Sequence, residues 1–204
     1  MIWKWLPLIG VMLFLGILCW RSWWQGRQYG SRAVLFFQSQ RWPDKLRDAL
    51  GAALVLLLVG QAVMAVSPRS PAPVEATDHP GAEIWHVGGA ALLFGGLALL
   101  VVAQLNLGAS WRIGIEEGSS PGLVTSGFYR FCRNPIFFAI LIMLAGYTLL
   151  LPTRLSLALL VGAFIGIRQQ VMTEEAYLSR TYGDAYRAYA RHVGRFVPGI
   201  GKLL

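Results

Sequence analysis

Residues 135–171 read PIFFAILIMLAGYTLLLPTRLSLALLVGAFIGIRQQV, and this stretch decides the fold. It contains two long apolar runs, 135–151 and 155–171, separated by little more than Pro152 and Thr153. Each run is about the 17–25 residues that a helix needs to cross a bilayer. Lipid offers the backbone no hydrogen-bond partner, so an uninterrupted run of this kind must satisfy its own amides as a helix. The connection is too short for anything but a tight turn. The two helices therefore form an antiparallel hairpin, and their far ends, near Asn134 and Glu174, are spatial neighbours although about 40 residues separate them.

Three further apolar blocks lie upstream, at 2–20, 49–66 and 84–105. The first resembles the core of a signal peptide. Cys19–Trp20–Arg21 is not a small-residue cleavage site, however, so the block reads as an uncleaved anchor. Of the 204 residues 55% are hydrophobic and only 14% charged, with a mean hydropathy of +0.53. A water-facing domain carries about 25% charged residues. The expected fold is all-α: a polytopic membrane helical bundle with about five transmembrane helices and a cytosolic C-terminal amphipathic helix. Residues 1–106 would hold the first three helices, with a cytosolic loop at 21–48. Residues 107–204 would hold a second cytosolic loop, the hairpin 135–171 and the C-terminal helix.

The basic residues orient this bundle. Arg21, Arg27, Arg32, Arg41, Lys45 and Arg47 follow the first block. Arg112, Arg130 and Arg133 follow the third, and Arg180, Arg187, Arg191, Arg195 and Lys202 follow the fifth. The other side has only Lys4, Arg69 and Arg154, beside Glu75, Asp78 and Glu83. Five crossings then place the N-terminus outside and the C-terminus in the cytosol, in what reads as a prokaryotic cytoplasmic membrane. The net charge of +8 is spread over loops facing anionic lipid and does not form a nucleic-acid patch. The bilayer is the expected partner and nucleic acid is not.

Cys19 and Cys132 show no pairing or zinc spacing, and His79, His86 and His192 lie far apart, so no metal site is expected. Most of the eight Trp residues fall at block edges, as interfacial residues do. Segment 67–81, rich in Pro and Ala, reads as an external loop, and 25–47 as an amphipathic piece on the inner leaflet. Tyr177, Leu178, Tyr182, Tyr186 and Tyr189 recur at helical spacing, interrupted by Gly183. They mark the amphipathic helix.

Chemistry concentrates where the hairpin opens. In Arg133–Asn134–Pro135, Asn suits an N-cap and Pro the first helical position. The free amides and dipole of that helix end, with Arg130 and Arg133 nearby, favour an anion such as a carboxylate. A capped helix with ordinary positive-inside arginines explains the same residues. Glu174 and Glu175 lie opposite, where they can hold ribose hydroxyls or an α-amino group, or simply start a solvated helix. Arg168, Met172 and Glu175 share a helical face. From there Arg168 can neutralise an acceptor carboxylate or snorkel to the interface.

Taken in order, Gly127-x-Tyr129, Arg133-x-Pro135, an apolar hairpin, Glu174–Glu175-x-x-Leu178 and Tyr182–Gly183-x-x-Tyr186-x-x-Tyr189 resemble the isoprenylcysteine carboxyl methyltransferases. The wider group includes the phospholipid N-methyltransferases. The resemblance covers about 104–198. It implies a cytosolic S-adenosylmethionine site built from Leu123, Val124, Gly127, Tyr129, Arg133, Asn134, Pro135, Glu174 and Glu175. Arg168 and Glu175 become the catalytic candidates, and the acceptor, a lipophilic small molecule or lipidated chain, arrives sideways from the membrane. Asn134 departs from the family's usual His, and Phe137 from a frequent Tyr. Asn cannot titrate near neutrality, so an acceptor that needs no base, a carboxylate, is favoured. Alternatives are phospholipid amine methylation, an NADPH-dependent sterol-type reductase, and a scaffold without turnover.

Overall fold

The computed structural model describes residues 2–29, 42–67, 82–111 and 122–202. Five helices account for most of them: α1 (Leu6–Tyr29), α2 (Trp42–Val66), α3 (Ala82–Leu107), α4 (Pro135–Leu150) and α5 (Arg154–His192). Short 3-10 turns at Ile2–Trp5, Gly108–Ser110 and Gly127–Arg130 extend or join them. Four helical stretches are long and apolar enough to cross a membrane, and α4 is a shorter apolar helix. The chain is an all-α membrane bundle. The expected outer loop at 68–81, the centre of the inner-leaflet piece at 30–41, and Arg32, Arg41, Arg69, His79 and Arg112 lie outside the described residues.

Helix α4 occupies the centre. Its 16 residues rise about 24 Å, less than the ~30 Å hydrocarbon core. It is packed by protein along much of its length, with Ala139, Met143, Leu144 and Tyr147 all buried. The contact with α3 is close because glycines face it. A Cβ on Gly96 would come within 2.6 Å of the Met143 amide nitrogen, and one on Gly146 would strike the backbone of Leu93 and Gly89. Apolar chains gain little by associating in lipid, so this backbone-to-backbone fit supplies the packing that holds the pair.

The hairpin turn is fixed by a capping box. Ser156 N donates to Thr153 Oγ1 at 3.0 Å, and Thr153 N donates to Ser156 Oγ at 3.1 Å. Tyr147 Oη donates to the Leu58 carbonyl at 2.9 Å, pinning α2 against α4 at the same end. At the opposite end α1 runs well past its apolar block, to Tyr29. The expected loop at Arg21 is helical because Arg21 and Gln25 find partners there. Arg21 Nη2 donates to the Gly108 carbonyl at 2.7 Å, and Gln25 Nε2 donates to that of Ala109 at 2.9 Å. Two α1 side chains thus satisfy the carbonyls that the end of α3 leaves free. The expected C-terminal amphipathic segment starts as a direct continuation of α5 and breaks at Gly183 (φ 53°, ψ −123°), beyond which a second short helix runs to His192.

Candidate functional site

The tail after α5 folds back across the start of α4. Arg133 N donates to the Gly194 carbonyl at 2.9 Å and Asn134 N to that of Arg195 at 3.1 Å. This short parallel pairing brings Arg133, Asn134, Glu175 and Arg195 into one cluster. Arg133 spends all five guanidinium N–H bonds inside the protein. Nε and Nη2 reach Glu175 Oε1 at 3.2 and 3.0 Å, Nη1 reaches the Ala190 and Val193 carbonyls, and Nη2 also reaches Gly201 O at 3.0 Å. Arg195 holds the other carboxylate oxygen, Nη2 to Glu175 Oε2 at 2.8 Å. That pairing raises the already high pKa of Arg195.

These contacts change the reading of three residues. Arg133 has no donor left for a bound carboxylate, and it caps the C-terminal end of α5 instead. Asn134 occupies the N-cap position of α4 but makes no capping hydrogen bond. Its amide group turns to Glu175 Oε1 (3.3 Å) and the Arg195 carbonyl (3.2 Å), which compete successfully for it. Glu175 is the buried hub of the cluster. Pro135 begins α4, as the sequence suggested.

Beside the cluster opens a cavity of about 790 Å³. Leu123, Val124, Tyr129, Arg133, Asn134 and Glu174 line it. Gly127 and Pro135 do not line it, although Gly127 positions Tyr129. Its positive φ of 60° and its close approach to Asn106 leave no room for a side chain. Phe128 N then donates to Asn106 Oδ1 at 2.8 Å. Arg168 is exposed on α5 and outside the cavity lining. Met172 is exposed while Glu175 is buried, so the shared face expected of 168, 172 and 175 does not point into one site.

The acidic pair is divided. Glu174 keeps part of its surface toward the cavity and accepts from Gln170 Nε2. Burial pushes its pKa up. The Gln170 hydrogen bond and the charge of Arg47 oppose that shift, and Glu175 adds to it. Tyr129, Tyr186 and Tyr189 at the same end are held as neutral phenols. Burial, followed by the charge of Glu175, pushes Tyr186 up to about 12, and burial also raises Tyr129 and Tyr189. The Cys132 thiol, up at about 11 through burial, is no nucleophile at neutral pH.

Sequence reasoning passed over Gln104, a buried amide near the end of an apolar helix, and did not give Gln170 a role. Both line the cavity, and each has a buried side-chain oxygen with no partner. A lone amide inside an apolar block was the available signal, because such groups in lipid are costly unless they serve a ligand or a partner.

The cavity has two characters. One end is lined by Gln104, Asn134, Gln170, Glu174 and five tyrosines, and its other arm by Leu54, Val55, Ile140, Leu144 and Ala163. One cavity of this helical membrane bundle thus joins a polar end to an apolar arm. The chain belongs to the phospholipid methyltransferase family, which matches residues 84–185. It is 27% identical to the protein-S-isoprenylcysteine O-methyltransferase of Dictyostelium discoideum over 124 residues, covering 58% of this chain and 51% of that one. It is 35% identical to the protein of the same name in Schizosaccharomyces pombe over 81 residues, 38% of this chain and 34% of that one. The matched stretches thus span about half or less of those relatives.

Proposed function

We propose that the chain is an integral membrane methyltransferase that uses S-adenosylmethionine and methylates a lipophilic acceptor, with a carboxylate as the accepting group. The single observation that carries this reading is the cavity that joins a polar, tyrosine-rich end to an apolar arm. At about 790 Å³ it falls within the range of about 300–1,000 Å³ common for small-molecule sites.

The polar end fits the donor's chemistry. The unpaired oxygens of Gln104 and Gln170 can accept from adenine or ribose groups, and Glu174 can accept from ribose hydroxyls or an α-ammonium. Tyrosine faces suit a sulfonium. When bound, S-adenosylmethionine supplies a cationic methyl donor from which a carboxylate oxygen takes the methyl group with no proton released. No side chain then has to act as a base, which agrees with Asn134 and with tyrosines held neutral. What the chain supplies is alignment and a dry site. The apolar arm admits a chain from the membrane. On this reading the donor end belongs to 107–204 together with Gln104 and faces the cytosol, with the N-terminus outside, which the positive-inside bias of the basic loops supports.

One observation favours a second acceptor. Glu174, with its raised pKa, is suited to remove a proton, as methylation of a phospholipid amine would require. Labelled S-adenosylmethionine and a membrane lipid extract separate the two. A methyl ester releases its label as methanol in base, and a methylamine does not. Base-labile label is the expected result.

A further inference from the structure

We infer that Arg47, on α2, is the residue that recognises the acceptor's anionic head group and so selects an acid over a neutral or amine-bearing lipid. The inference deepens the proposed function and rests on its reading of the cavity as a two-part site.

Two cations line the cavity among the described residues, Arg133 and Arg47. Arg133 is spent on Glu175 and three carbonyls. Arg168 is exposed and off the lining, and Arg195 is paired with Glu175. Arg47 is braced on two sides, by Asp44 at 3.1 Å and Asp48 at 3.7 Å, with its side chain 32% exposed. Two single contacts leave part of a five-donor fork uncommitted, and the aspartates fix its direction without using it up.

Its position on α2 decides the kind of ligand. Arg47, Leu50, Gly51, Leu54 and Val55 all line the cavity, at spacings of three, four, seven and eight that form one helical face. Helix α5 presents a matching stripe of Glu174 and Gln170 above Ile167, Gly166, Ala163 and Gly162. Side chains added at Gly51, Gly162 or Gly166 would meet nothing within 4 Å, so the space between the stripes is open. A ligand with its anion at Arg47 lays an apolar tail along at least eight residues of α2, about 12 Å. Opposite it, Glu174 and Gln170, hydrogen-bonded to each other, face the same cavity and are left to the donor. Helix α2 also lies outside the stretch matched to the family, 84–185.

The test uses the purified full chain in lipid nanodiscs, with S-farnesylthioacetate and its carboxamide as probes. Binding is read by tryptophan fluorescence, and S-adenosylhomocysteine binding by calorimetry. Wild type should prefer the acid by about tenfold, the scale of one charge-assisted hydrogen bond. Arg47→Gln should bind both probes alike, Arg47→Lys should keep part of the preference, and Arg168→Gln should keep all of it. Unchanged S-adenosylhomocysteine affinity in Arg47→Gln shows that the site is still folded. A wild type without acid preference, or an Arg47→Gln variant that retains it, overturns the inference. Failure of the methyltransferase reading would appear separately, as wild type that binds no S-adenosylhomocysteine.

Discussion

Arg133 and Glu175 meet through two hydrogen bonds to a single oxygen, Nε to Oε1 at 3.2 Å and Nη2 to Oε1 at 3.0 Å, across 42 residues of sequence. The pair joins the residue just ahead of the α4 N-cap to α5, and through Arg195 it holds the tail as well. Removing one partner of a buried ion pair leaves the other charge without compensation, a cost of about 3–5 kcal/mol. Arg133→Ala and Glu175→Ala should therefore lower the melting temperature strongly and expose residues after His192 to protease. Arg133→Lys, which cannot reproduce the five-donor fork, should fall between them and wild type.

Glu174 gives a pH signature. Its folded pKa lies above the ordinary carboxyl value because burial disfavours the charged form. Folding then binds a proton that the unfolded chain gives up more readily, so this group's effect on stability is unfavourable at high pH. The ligand-free protein should lose stability as pH rises from the ordinary value of 4.5 through the elevated one. Glu174→Gln should flatten that dependence and melt a few degrees higher at pH 7. Thermal melts across a pH series check both statements.

Helix packing offers a test that does not depend on the site. Gly96→Ala and Gly146→Ala each push a methyl into the facing backbone, and overpacking of this kind costs about 1–3 kcal/mol. Gly60→Ala, where a methyl meets nothing within 4 Å, should be neutral or slightly stabilising. Equal melting temperatures for all three variants would contradict the close α3–α4 contact.

The apolar arm should be separable from the donor end. Gly166→Leu fills open space beside Ile167 and Ala163 in the lining. Acceptor binding should fall about tenfold or more as the tail loses its place, while S-adenosylhomocysteine binding stays within about twofold. Parallel titrations of the two ligands measure the split.

The fold was legible because lipid leaves a chain few options. Apolar blocks of helical length and a two-residue turn suffice to bring the helix ends together, and Glu174 does come to the same cavity as Leu123 and Tyr129. Side-chain roles were less legible, since charge alone does not say which partner wins. Arg133 looked like an anion site, yet the free carbonyls at the end of α5, the Gly201 carbonyl and the Glu175 carboxylate claim every donor it has. Asn134 looked like a cap, and the same carboxylate turned it away. Arg47 carried no motif. Its place in the lining depends on how α2 packs, which spacing along the chain does not encode.

Calorimetry of S-adenosylhomocysteine with wild type, Glu174→Ala and Arg168→Ala tests the central claim most directly. One molecule should bind per chain, about tenfold or more weaker in Glu174→Ala and unchanged in Arg168→Ala. Wild type that does not bind, or Glu174→Ala that binds as tightly as wild type, would contradict a nucleoside site at the polar end of the cavity.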